Sequence, residues 1–366
     1  MDAKRYGFSD FQWFAVLICL TLGGGIITLP RTVAEVAGRD AWLSLLIAGV
    51  FTWGLAVLIW LLCRKFPNRT LPEFCILVLG KPLGILVSVL YALYAFTAAG
   101  ETLRIFVELI KTWVLIWTPV SVFVLAILVA AVYISRLGAT TLARLMEIIT
   151  LLTVLVFLIW LVPVGEFNLL NLRPVGSEGL VAIAKGGQES VFAFLGFDVM
   201  LVLFPFIRNR RNILRVTLLA LTVVTLLYAG NVILTYGVLG VEHTLLQQWP
   251  LMNYLRVGSL PFIQRVDTIV LFFWTAQILA VVAIQYFAGT YILASLTRHH
   301  YHDLWSLLCW PIIYLVAIGP GTLSQVQAIG AGISRWGLVG VIGLVVLLLL
   351  VANVRRLDER REEEKE

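Results

Sequence analysis

The chain has 366 residues, of which 60% are hydrophobic and only 13% charged, and its formal net charge is +6. A soluble globular domain carries about 25% charged residues, so this composition excludes an ordinary water-soluble globule. In lipid the backbone must satisfy its own hydrogen bonds, which leaves helices or closed barrels. The apolar runs here are long and unbroken rather than alternating, and an all-α integral membrane fold is expected.

Ten transmembrane helices are predicted, over 10–37, 40–63, 83–111, 119–136, 142–164, 179–207, 213–240, 266–296, 303–321 and 334–354. Met1–Ser9 is short and leads into a full-length span with no small-residue cleavage site, so the first span is expected to act as an uncleaved signal-anchor. Leu71–Gly80 and Glu242–Gly258 are predicted as membrane-surface segments on opposite sides. The positive charge follows topology rather than pointing to nucleic acid. Of 27 Lys and Arg residues, 18 fall in segments on the side of the N-terminus, 8 on the other side, and Arg104 inside a span. That bias places both termini in the cytoplasm and agrees with an even number of spans. The chain thus reads as a single membrane domain, 1–366, with five spans in 10–164, five in 179–354 and a charged, solvated tail over 355–366. Cys19, Cys63, Cys75 and Cys309 lack metal-ligand spacing and read as small apolar residues.

Span 1 contains Gly23-Gly24-Gly25-Ile26 near mid-membrane. Each glycine costs a helix about 1 kcal/mol relative to alanine. Packing motifs set small residues four apart on one face, whereas these are adjacent, so the run predicts unwound backbone lining a cavity. Span 6 offers a partner in Phe192-Ala193-Phe194-Leu195-Gly196-Phe197-Asp198. Two halves of similar size, each opening on a glycine-interrupted span, predict an inverted repeat with a midplane site between discontinuous helices. Half-helix N-termini there present bare amides suited to a carboxylate.

These segments carry a resemblance. With Asp40-Ala41-Trp42-Leu43-Ser44, Gly187-Gln188-Glu189-Ser190 and Phe262-Ile263-Gln264-Arg265-Val266-Asp267, the whole chain resembles the amino acid–polyamine–organocation superfamily. More narrowly, it is similar to the B subunits of GerA-type spore germinant receptors. The resemblance implies a LeuT-type five-plus-five fold with helices 1 and 6 discontinuous. It also implies a small-molecule germinant, typically an amino acid, bound at the two breaks. Finally, it implies a hetero-oligomer with A- and C-type subunits in the inner membrane of a spore.

Charges inside spans are costly and usually face the bundle interior. Glu101, Arg104 and Glu108 share one face of span 3. They read either as a structural ion pair or as a vestibule in which Glu101 meets a ligand amine. Tyr94 and Thr97 lie deeper on the same span and line the pocket if that face meets the breaks; plain packing is the alternative. Gln277 and Gln285 in span 8 need polar partners or a water-filled path, and Gln277 is the stronger pocket candidate. Asp198 reads as a gate or as a structural anchor, and Trp274 as core or interfacial packing. His299, His300 and His302 read as a solvated turn rather than a metal site.

The candidate ligand-binding set is therefore Gly23, Gly24, Gly25, Ile26, Tyr94, Thr97, Glu101, Phe194, Leu195, Gly196 and Gln277. The ligand carboxylate is expected at the Gly23–Ile26 amides, its amine at the Phe194–Gly196 carbonyls and its side chain against spans 3 and 8. No nucleophilic triad, phosphate loop, zinc signature or poised carboxylate pair is evident, so neither an enzyme nor a cofactor is expected. A sensor subunit, a secondary amino-acid transporter and a scaffold with a vestigial cavity remain as functions. Span 8 lacks a central Ser/Thr pair, and 148–162 contains no Lys or Arg. The resemblance gives these absences their meaning: LeuT-like sodium carriers use hydroxyls on span 8 and proton-coupled relatives can place a lysine in span 5, so both absences favour sensing over ion-coupled transport.

Overall fold

Unbroken apolar sequence in lipid leaves the backbone no partner but itself. The computed structural model describes residues 7–261, 265–297 and 302–358. Within them the chain is helical apart from turns, loops and one parallel bridge between Phe8 and Ile207. The helices are α1 (Asp10–Thr21), α2 (Leu29–Ala37), α3 (Ala41–Lys65), α4 (Leu71–Leu79), α5 (Lys81–Trp113), α6 (Val120–Arg136), α7 (Ala139–Ile159) and α8 (Gly179–Ser190). They continue as α9 (Met200–Leu203), α10 (Ile213–Leu239), α11 (Val241–Leu246), α12 (Pro250–Val257), α13 (Val266–Leu296), α14 (His302–Leu308), α15 (Trp310–Ile318) and α16 (Leu323–Val354).

Six stretches are long and apolar enough to cross a membrane: Leu29–Lys65, Lys81–Trp113, Ala139–Glu166, Ile213–Leu239, Val266–Leu296 and Leu323–Val354. A seventh, Gly179–Phe194 with Phe197–Phe206, qualifies as a pair bent by 50°. Asp10–Thr21, Val120–Arg136 and His302–Ile318 are shorter apolar helices.

Long helices α5 and α13 lie side by side at the centre. On α13 pack α6 and α7; on α5 pack α15 and α16. Helix α10 lies against α1 and α3, and α3 against α8. The Asp40–Ser44 segment fastens this last contact. The buried Asp40 carboxylate accepts from the N–H groups of Gly176 (2.7 Å) and Glu178 (3.0 Å), and Ser44 Oγ donates to Ile183 O at 2.9 Å. Asp267 likewise accepts from Trp113 Nε1 (2.5 Å) and Arg265 (3.0 Å), joining the C-terminal end of α5 to the start of α13.

One sequence expectation shifts. Helix α16 begins at Leu323 rather than 334, because Thr322 and Gln325 form a capping box. Its first turns, rich in Ser and Gln, read as loop from hydropathy alone. The segment at Leu71–Gly80, expected at a membrane surface, forms α4 and packs on α5, with Leu71, Phe74, Cys75 and Val78 buried. Helix α12 likewise buries Leu251, Met252, Tyr254 and Leu255 and donates from Tyr254 to Trp160 O. His299, His300, the Phe262–Gln264 motif piece and most of the charged tail lie outside the described residues.

Candidate functional site

The first break follows from a helix that runs out of side chains. Helix α1 ends at Thr21, a short 3-10 turn covers Gly24–Ile27, and α2 restarts at Leu29 with Pro30 in its first turn. None of the three glycines has a positive φ. A Cβ on Gly25 would meet nothing within 4 Å, and Gly25 is solvent-exposed inside the protein's own cavity. The glycines act by thinness, leaving bare backbone on a cavity wall.

The second break is different. Helix α8 passes into a 3-10 turn over Val191–Phe194, Leu195 is extended, and Gly196 has φ +121° before a further 3-10 turn over Phe197–Val199. A Cβ on Gly196 would lie 3.1 Å from Leu20 Cβ and 3.2 Å from Leu20 backbone. Here glycine is required twice over, by the left-handed backbone and by close approach to the first break. Buried Asp198 accepts from the Gly196 N–H at 3.0 Å and from Tyr91 Oη at 2.7 Å. This is the anchoring role rather than a free charge.

Interrupted helices leave carbonyls without partners, and side chains from α10 supply them. Tyr228 Oη donates to Thr21 O (2.5 Å) and lies 2.9 Å from Ala193 O, so one hydroxyl spans both breaks. Asn231 Nδ2 donates to Ile26 O at 2.8 Å, and Tyr236 Oη to Pro30 O at 2.8 Å. Gln277 Nε2 donates to Cys19 O at 2.7 Å, and its Oε1 accepts from Thr153 at 3.3 Å.

Between the breaks lies a cavity of about 840 Å³. Its walls include Gly23, Gly24, Gly25, Tyr94, Glu101, Leu195 and Gly196 from the expected set. Phe194 is buried against Tyr228, with ring centres 5.1 Å apart. Ile26 is buried, Thr97 donates to Leu93 O and Tyr94 O of its own helix, and Gln277 clamps the break from behind. These four lie off the wall, whereas Gln285 is on it. Trp274 is buried in the core. On span 3, Arg104 pairs with Glu108 at 2.7 Å and donates to Ala317 O at 3.0 Å, while Glu101 points elsewhere.

The expectations lacked an entire wall, Gln327, Gly330, Ala331, Ile333, Ser334 and Arg335 of α16, and the α10 clamps. Both leave a trace in the sequence: Thr322-x-x-Gln325 signals an early helix start, and Tyr228, Asn231, Thr235 and Tyr236 form a polar stripe at helical spacing. Arg31–Glu35 (2.9 Å) and Arg335–Glu189 (3.5 Å) also stand at the cavity. At the N-terminal end the chain is shut. Phe8 N–H donates to Phe206 O at 2.7 Å, Arg208 N–H to Phe8 O at 3.0 Å, and Asn212 to Asp10 at 2.8 Å.

The sequence has relatives among known proteins. The chain is 28% identical to spore germination protein YndE of Bacillus subtilis over 350 residues, covering 94% of this chain and 96% of that protein. It is 28% identical to spore germination protein B2 of B. subtilis over 280 residues, 76% of each chain. It is 25% identical to spore germination protein GerQB of Bacillus cereus over 279 residues, 75% of this chain and 76% of that one. The model of the spore germination protein family, Spore_permease, matches residues 8–326, and the chain belongs to that family.

Proposed function

We propose that this protein is the germinant-sensing membrane subunit of a spore receptor and that it binds an amino acid or similar small polar ligand in the cavity between the two breaks. The observation that carries the reading is the cavity of about 840 Å³ walled by bare backbone from both interrupted helices. Pockets for small ligands commonly measure about 300–1,000 Å³. Exposed amides at Gly23–Gly25 suit a carboxylate, and the surrounding Thr, Gln and Glu side chains suit polar groups.

The ten-span inverted repeat is part of the proposal. Exchanging spans 1–5 with 6–10 turns α1 on α10 into α8 on α3, α6 on α13 into α15 on α5, and α7 on α13 into α16 on α5. All of these contacts are present. The cavity opens on the side of Arg31, Lys185 and Arg335, and the opposite side is closed by Phe8 on Phe206. With the N-terminus cytoplasmic, this is an outward-open arrangement in the spore inner membrane. A ligand that binds it more tightly than the alternative shifts the population, and A- and C-type partner subunits read that shift.

Binding is tested on purified protein in nanodiscs by thermal stabilisation with each of the twenty L-amino acids. At least one is expected to stabilise the protein at millimolar concentration. No stabilisation by any of them overturns the reading. A cavity shut at one end also suits alternating access. Gradient-driven accumulation of a labelled amino acid in proteoliposomes would turn the conclusion to a secondary transporter.

A further inference from the structure

The charges around the cavity are unequally partnered. Arg31 has Glu35 and Arg335 has Glu189. Arg104, one turn from Glu101, is committed to Glu108 and to the Ala317 carbonyl. The Glu101 carboxylate lines the cavity and has no hydrogen bond or ion pair among the described residues. A carboxylate without donors on a partly enclosed wall is stabilised either by taking up a proton or by a cation that joins it.

Its position is built. Gly330 of α16 faces it so closely that a Cβ there would lie 2.2 Å from Glu101 Oε1 and 3.1 Å from its Cγ. Seven residues along, a Cβ on Gly337 would lie 2.3 Å from the Tyr94 ring. Glu101 and Tyr94 are also seven apart, in the reverse order. The antiparallel pair α5 and α16 therefore seats two cavity-wall side chains on two bare stretches of backbone. Meanwhile three of the carbonyls at the breaks are already engaged by side chains. Tyr228 engages Thr21 O and Ala193 O, and Asn231 holds Ile26 O.

We propose that Glu101, seated against Gly330, is the cation subsite of the cavity, so that the ligand is an amine whose ammonium group pairs with this carboxylate rather than with the backbone carbonyls of the second break. Gly330 is a positioning residue: it leaves the room that sets the carboxylate on the wall. The assignment rests on the cavity reading above and narrows it to ammonium-bearing ligands.

The test uses the full-length protein in nanodiscs. The probes are the twenty L-amino acids, and the best binder is compared with its 2-hydroxy acid, in which hydroxyl replaces ammonium. Glu101→Gln, nearly isosteric, is expected to weaken the best binder by about tenfold or more. The 2-hydroxy acid is expected to bind at least as weakly, with no difference between wild type and Glu101→Gln. Gly330→Ala is expected to weaken the amine in the wild-type background and to have no further effect on binding in Glu101→Ala. If Glu101→Gln binds within twofold of wild type, or the 2-hydroxy acid matches the amine, the subsite assignment is overturned while the cavity stands. If Gly330→Ala lowers the ligand-free melting temperature equally in both backgrounds and leaves affinity intact, its positioning role is overturned. If no amino acid binds the wild type, the cavity reading falls and the subsite with it.

Discussion

The two interrupted helices solve one physical problem by opposite means. The first break, at Gly23–Thr28, is held from outside: Tyr228, Asn231, Tyr236 and Gln277 reach in from α10 and α13 to the carbonyls of Thr21, Ile26, Pro30 and Cys19. Its glycines carry no backbone strain, and Gly25 is open to the cavity. The second break, at Leu195–Gly196, is held largely from within, by a left-handed glycine and by Asp198 two residues on. Thinness creates an accessible wall in one; conformation creates a tight corner against Leu20 in the other. A glycine-rich stretch and a single glycine are therefore not interchangeable signs of the same thing.

The largest expected effect breaks that contrast at the tight corner. Gly196→Val forces a β-branched residue into a left-handed backbone, at roughly 1–2 kcal/mol, and drives it into Leu20, at about 1–3 kcal/mol for overpacking. Loss of folded protein by size-exclusion chromatography is the expected outcome. Gly25→Phe should do the reverse. It projects into the cavity without a backbone clash, leaving the melting temperature near wild type and abolishing amino-acid stabilisation. If Gly25→Phe unfolds the protein, the open-wall description of the first break is wrong.

Tyr228→Phe deprives both breaks of one hydroxyl and is expected to cost about 1–3 kcal/mol, the penalty for stranding a buried polar group. Tyr236→Phe strands one carbonyl, that of Pro30, and should cost less. Equal losses would mean that the shared clamp has no special standing. The smallest effect lies at the protein surface, where Arg39, just past α2, donates to Arg173 O at 2.7 Å and to Glu242 at 2.6 Å. The Arg39 hydrogen bond holds the Glu242 carboxyl below its ordinary value of 4.5. A depressed folded-state pKa adds stability that is complete above the ordinary value and is lost as pH falls through the lower one. Because Glu242 is three-quarters exposed, solvent screening should keep Arg39→Ala below about 1 kcal/mol. The gap between the melting curves of wild type and Arg39→Ala should narrow as pH drops below 4.5, to the part owed to the Arg173 carbonyl.

Chain order and apolar run length alone foretold an all-helical membrane chain interrupted at Gly23–Gly25 and near Gly196, because in lipid an unbroken apolar run has no alternative to helix and consecutive glycines weaken one. Tyr94 and Glu101 stayed open in the sequence, between packing or ion pairing and a pocket wall, and the bundle sets both beside the cavity. What chain order and run length could not supply was rotation and depth. Gln277 and Gln285 look alike in sequence, yet one clamps Cys19 O and the other lines the cavity, since eight residues along a helix leave a turn of angle that only neighbouring helices resolve. Start positions were equally hidden: polar residues at 324–335 resemble a loop until Thr322 is seen capping a helix whose other side packs on α5. Which carbonyls stay bare, and which side chain is left without a partner, are properties of contacts between segments up to 258 residues apart. Those contacts exist only in the packed bundle, and they decide where a ligand can be gripped.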